Sequence, residues 1–290
     1  MKGNNIRIFW LLAIFLGLVT ARSTLKPKYN ALFSRDETID DLCRPACSRC
    51  SSHAGLRRRS SDLEVSETDD TLHRRNLKQV TAGNIDNYMI SQLDSRDLIN
   101  VFFNHSTSTA RMQPLGNARF PMGLEGLCGC SALFVMSRRA VYGAHFFEDL
   151  AFRTTSTARF KAQAINMISG DGPITGEGPS LDPTFFNQPG DNPVAWILTP
   201  ESINVPGNKQ YPKRIGEIGD QVTAMIPGIR VSDFIYNALS GGDQEENIPA
   251  DPEFMTNARG AALYEYDPNN HGERAYRLFF ERTMVAKDEW

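Results

Sequence analysis

The sequence predicts an α+β fold, a mixed or antiparallel β-sandwich flanked by helices. Short apolar runs of strand length, rich in β-branched and aromatic residues, occur at 131–136, 141–147, 194–199, 261–266 and 275–280. Between them lie stretches of helical spacing and long loops dense in Gly, Pro, Asp and Asn, not a regular strand–helix alternation. No internal repeat interrupts residues 76–290, which are long enough to bury one sizeable core.

Residues 1–21 read as a secretory signal. Lys2 and Arg7 form a positive start, residues 8–19 an apolar run, and Val19-Thr-Ala21 a small-residue cleavage site. That run is too short to span a bilayer, which takes about 20 apolar residues, so the reading is an exported, extracellular protein without a membrane span. Residues 22–75 carry little apolar periodicity. They hold Cys43, Cys47 and Cys50, the Arg57–Arg59 triplet and the dibasic pair Arg74-Arg75, and read as a disordered pro-segment processed near Arg75. The three cysteines have zinc-like spacing, but no matching His or Cys pair follows, so neither a metal nor a cofactor is expected.

From residue 76 the composition becomes globular. Removing the 13 basic and 9 acidic residues of the first 75 from the chain's 31 and 34 leaves 18 against 25, a formal charge of −7. That acidic balance argues against nucleic-acid binding, which needs a basic footprint. Residues 84–103 have helical spacing, with Asn84 as cap. Asn104-His-Ser106 is a glycosylation sequon, and His105 beside it reads as exposed. Residues 154–167 fit a short amphipathic helix with Phe160, Ala164, Ile165 and Ile168 inward. Residues 170–192 form a long loop, 194–199 a buried strand and 214–225 a helix stopped by Pro227-Gly228. Residues 231–239 fit strand or helix equally, 240–252 an acidic loop, and 261–280 a second hairpin turning at 267–272.

The chemistry centres on residues 126–148, read as a loop, a strand, a tight turn and a second strand. Cys130 opens the first strand and His145 lies on its return. A turn at Ser137-Arg138 sets the two directly opposite. A turn at Arg138-Arg139 pairs Cys130 with Phe147 and makes His145 its diagonal neighbour. Both registers keep Cys130 and His145 on one face. An imidazole beside a thiol makes a nucleophile. Gly123, Gly126 and Gly129 suit a loop that presents amide groups to an oxyanion, with the backbone N–H of Cys130 or Ser131 as donor. The plainer alternative is a buried hairpin whose cysteine and histidine are core residues.

Leu127-Cys-Gly-Cys130, followed by a hairpin with His145 fifteen positions on, resembles the cytotoxic-necrotizing-factor type of protein-glutamine deamidase. That family uses a Leu-Ser-Gly-Cys segment and a histidine on the next strand. Cys130 matches its nucleophile and His145 its base, while Cys128 stands where the family usually has serine. The match covers about 25 of the 290 residues. The resemblance implies deamidation of a glutamine side chain on a partner protein, several members acting on small GTPases, with transglutamination as a side activity. The same segment is similar to fungal secreted proteins carrying Gly-Cys-Thr/Ser-Ala-Leu-Phe-Val…Ser-Arg-Arg…Ala-His. A papain-like protease fits less well. His271 follows Cys130 at a suitable interval, but the upstream glutamine is missing, Ser131 replaces the usual Trp, and no Asn-Trp pair follows His271. A secreted, non-catalytic effector or interaction protein of the same fold is the other alternative.

Overall fold

The computed structural model of the protein describes residues 76–101, 107–240, 251–253 and 256–290. Residues 1–75, read above as signal and pro-segment, lie outside the described residues, with Cys43, Cys47, Cys50, Arg74 and Arg75. So do Asn104, His105 and most of the acidic loop at 240–252.

Two mixed five-stranded sheets and a set of helices make an α+β fold. The strands, in chain order, are β1 (Ile99–Asn100), β2 (Thr109–Pro114), β3 (Phe120–Leu124), β4 (Ser131–Met136), β5 (Ala140–Phe146), β6 (Val194–Pro200), β7 (Arg230–Tyr236), β8 (Ala262–Asn270), β9 (Glu273–Phe280) and β10 (Thr283–Glu289). One sheet has the order β1-β3-β8-β9-β10 and the other β2-β5-β4-β6-β7. The β1–β3 and β6–β7 pairs are parallel, the rest antiparallel.

The inner faces of the two sheets share one core. Phe280 on β9 packs its ring 6.0 Å from Phe134, 6.3 Å from Trp196 and 5.9 Å from Phe234, all on the other sheet. A second core lies on the opposite face of the β2-to-β7 sheet. There Leu133, Val135, Tyr142 and Ala144 meet Phe160, Met167 and Ile168 of the helical run 157–169, and Ile215, Ile218 and Val222 of a helix at Pro212–Met225. A third covers the outer face of the other sheet, where Tyr88, Met89 and Leu93 of helix α1 (Ile85–Leu93) contact Leu263 and Phe279. The layers run helix, sheet, sheet, helix, and strands buried on both faces read as unbroken apolar runs.

Several elements differ from expectation. The helix expected over 84–103 ends at Leu93, because residues 94–97 are all polar and Ser95 forms local bonds, accepting from the Asp97 N–H at Oγ (3.2 Å) and the Leu98 N–H at its carbonyl (3.2 Å). The chain then enters β1. Asn84 takes the N-cap position without a capping bond into the helix, and its Oδ1 accepts instead from the Thr81 N–H at 2.7 Å. The helix expected at 154–167 spans 157–169, with a π-turn at Lys161–Ile165 between two α segments. Residues 230–236 resolve as strand, and the 170–192 loop pairs only at the isolated Thr109–Glu177 bridge. Among the described residues no helix is long and apolar enough to cross a membrane.

Candidate active site

The β4–β5 hairpin sits in the interior of its sheet, with β2 beyond β5 and β6 beyond β4, and every residue of both strands is buried. Its turn is Arg138-Arg139. The Ser137 N–H donates to the Ala140 carbonyl at 2.9 Å, and pairing runs from Met136–Val141 to Ser131–Phe146 without a shift. Ordinary alternation along this ladder makes 137–140, 135–142, 133–144 and 131–146 the hydrogen-bonded pairs, with 132–145 non-hydrogen-bonded. The β2 side has the complementary phase: the Leu115 N–H donates to the Arg139 carbonyl at 2.7 Å, so the odd residues of β5 bond to β2.

His145 therefore stands between Thr109 on β2 and Ala132 on β4. Strand β4 begins at Ser131, so Cys130 precedes the strand by one residue and does not open it. Continued one step, the register sets Cys130 opposite Phe147 and makes His145 its diagonal neighbour. Core membership agrees with that parity. Cys130, Ala132, Phe134, Val141 and Phe147 belong to the core between the sheets, whereas Leu133, Tyr142, Ala144 and Phe146 belong to the core under the helices. Diagonal neighbours in such a ladder lie about 7–8 Å apart, within reach of a side chain as long as histidine. Cys130 is fully buried and His145 is 2% exposed. The Nε2 atom of His145 is buried without a hydrogen bond, while the residue has interactions beyond that atom.

The two neighbouring cysteines have different fates. Cys128 is disulfide-bonded, whereas Cys130 is in no disulfide. Of the two, Cys130 is the one that carries thiol chemistry.

The glycines before Cys130 also divide. Gly126 (φ 76°) and Gly129 (φ 144°) adopt conformations that side-chain-bearing residues rarely reach, as a loop-forming role requires. Gly123 instead lies within β3, where a Cβ would fall 2.6 Å from the Ala262 carbonyl oxygen and 2.7 Å from a Leu93 methyl. It is a close-packing glycine between α1 and β8, not part of the amide-presenting loop.

Tyr236, the last residue of β7, was not singled out by the sequence. Its hydroxyl accepts from the Gly129 N–H at 2.9 Å and donates to the Cys130 carbonyl at 2.8 Å. The residue is 1% exposed. Nothing within one strand names a partner for its hydroxyl 106 residues upstream.

Beyond Phe147, the buried Glu148 accepts a hydrogen bond from the Tyr211 hydroxyl. A surface cavity of about 290 Å³ bounded by Phe152, Tyr211, Lys213 and Arg214 includes neither Cys130 nor His145. His271 occupies the tip of the β8–β9 hairpin, exposed and with φ 55°. Among the described residues no group of three or more His, Cys, Asp or Glu side chains is placed to hold a metal ion. No protein-family model matches the chain, and no curated protein does.

Proposed function

We propose that the protein is an exported cysteine hydrolase that deamidates glutamine side chains on a partner protein, with Cys130 as nucleophile and His145 as base. The observation that carries this reading is the hairpin register, which favours Cys130 and His145 as diagonal neighbours on one face. The state of the cysteines adds support, since the thiol belongs to the residue that matches the deamidase nucleophile.

In this mechanism His145 accepts the Cys130 proton and the thiolate attacks the carboxamide carbon. The oxyanion takes a hydrogen bond from a backbone amide. Ladder alternation turns the Ser131 N–H toward Phe146, so of the two donors expected the Cys130 N–H is the one retained. Ammonia leaves with the proton held by His145. Water, deprotonated by the same imidazole, then hydrolyses the thioester to glutamate and restores the thiol. An amine in place of water gives transglutamination. Because both groups are buried, substrate must enter through an opened form of the site. That same burial favours the second reading, a non-catalytic interaction protein of this fold.

Alkylation of Cys130 by iodoacetamide, measured against pH, separates the two. An activated thiol gives a rate profile whose inflection lies clearly below the ordinary thiol value of ~8.5, and His145→Ala moves it back. Burial slows alkylation and, by disfavouring the thiolate, moves the inflection up and not down. Ammonia release from glutamine-bearing proteins, abolished by Cys130→Ala, completes the test. An inflection at the ordinary value together with no ammonia release overturns the hydrolase.

A further inference from the structure

We propose that Tyr236 is a positioning residue for the Cys130 nucleophile, an inference that rests on the reading of the site given above. Its hydroxyl bridges two peptide groups in one stroke, accepting from the Gly129 N–H at 2.9 Å and donating to the Cys130 carbonyl at 2.8 Å. Between those two groups lies the peptide that joins Gly129 to Cys130 and carries the Cys130 N–H. Pinning both flanking groups fixes the orientation of that amide and the direction in which the thiol leaves the backbone.

The clamp acts on a stretch that lies outside the strand ladder. Gly129 sits at φ 144°, outside the range of extended strand, and Cys130 lies one residue before β4. The next residue, Ser131, is already registered against Phe146. Beyond β6, Tyr236 pairs with Pro200 at the end of β7, so its ring comes from a strand two places away in the same sheet. Register fixes Ser131 onward, and the tyrosine extends that order upstream through Cys130, whose position decides whether sulphur meets imidazole, to Gly129. Through these two bonds Tyr236 acts on the Gly129–Cys130 backbone.

The test is Tyr236→Phe in the full-length protein, with the pH inflection of Cys130 alkylation as readout. Tyr142→Phe is the control, since the Tyr142 hydroxyl is equally buried in the same sheet but makes no hydrogen bond. The clamp predicts that Tyr236→Phe raises the inflection by about one unit and lowers the alkylation rate at pH 7 about tenfold, while Tyr142→Phe leaves the inflection where it was. Loss of stability by itself does not move an inflection measured on folded protein. A wild-type inflection that is low and stays low in Tyr236→Phe overturns the clamp and leaves the deamidase reading standing. A wild-type inflection at the ordinary thiol value removes the deamidase reading and the clamp's chemical role with it. Should Tyr236→Phe not fold, amide exchange in the wild type decides: the Gly129 N–H is protected to the level of β4 if the hydroxyl holds it, and exchange at loop rates overturns the proposal.

Discussion

At the level of single residues, Cys128 and Cys130 show what spacing leaves open. The two are alike in type, buried and separated by one glycine, yet one is oxidised and the other keeps its thiol. A bridge within a Cys-x-Cys pair would be strained. Which of the two would be bonded depends on a partner distant in sequence. Gly123 makes the same point. Its three-residue spacing from Gly126 suggested a common loop role, whereas its place in β3 leaves no room for a side chain. Gly123→Ala forces a Cβ against the Ala262 carbonyl and Leu93, and the expected loss is about 2 kcal/mol of unfolding free energy in urea titration. Gly116→Ala, where a Cβ meets nothing within 4 Å, is the matched variant and should change stability little.

At the level of elements, the Arg138-Arg139 turn does more than reverse the chain. Arg138 reaches Asp288 on β10 of the other sheet at 2.9 Å and lies 5.6 Å from the Trp290 ring centre, while Arg139 holds Asp191 of the 170–192 loop at 2.7 Å. Burial alone would raise the Asp288 carboxyl, but hydrogen bonds from Arg138 and Asn192 outweigh it and hold it below the usual carboxylate range. Asp191 behaves alike, burial being outweighed by Arg139 and the Gln188 N–H. A lowered native pKa means that the unfolded chain binds protons first as pH drops. The contribution is therefore complete above the unfolded value of ~3.9 and is lost as pH falls through the lower native values. Asp288→Asn should cost about 1 kcal/mol at pH 7, modest because Arg138 is a third exposed, and should flatten the fall in stability below pH 4. Urea titrations across that range measure both. The hairpin's strands were legible as short apolar runs, and the site's parity from the period-two alternation of side chains along them. The helix expected to run to residue 103 was overextended, since Leu98, Ile99 and Phe102 keep helical spacing across a polar interval where local bonds end the helix.

For the whole molecule, the layers depend on a buried polar knot as well as on apolar packing. Glu265 on β8 takes a 2.8 Å ion pair from Arg277 on β9 and a hydrogen bond from the Tyr88 hydroxyl of α1. Arg277 also donates to the Lys78 carbonyl and to Tyr88, each at 2.8 Å. Helix, sheet and leading segment thus converge on one carboxylate that is 2% exposed. Burial, with the neighbouring Glu265 charge, pushes the Tyr88 hydroxyl well above its ordinary pKa, so it stays a neutral donor. Arg277→Leu leaves the buried Glu265 charge to Arg119, 3.9 Å away, and should cost about 3 kcal/mol, whereas adding Glu265→Leu should recover much of that loss. Thermal unfolding of the single and double variants checks the order; equal losses would mean that the charge is not what matters.

By itself the sequence determined the two-sheet α+β class, the β4–β5 hairpin with both of its candidate registers, and the pairing of Cys130 with His145 as the chemistry to examine. These follow from local periodicity and side-chain type, which act over a few residues. The tertiary structure alone decided which register holds, that Ile99–Asn100 and 109–124 supply strands to both sheets, that Cys128 is bonded while Cys130 is not, and that Tyr236 grips the loop from 106 residues away. Such contacts are chosen by how two sheets and their helices pack, and no short window of sequence contains both partners.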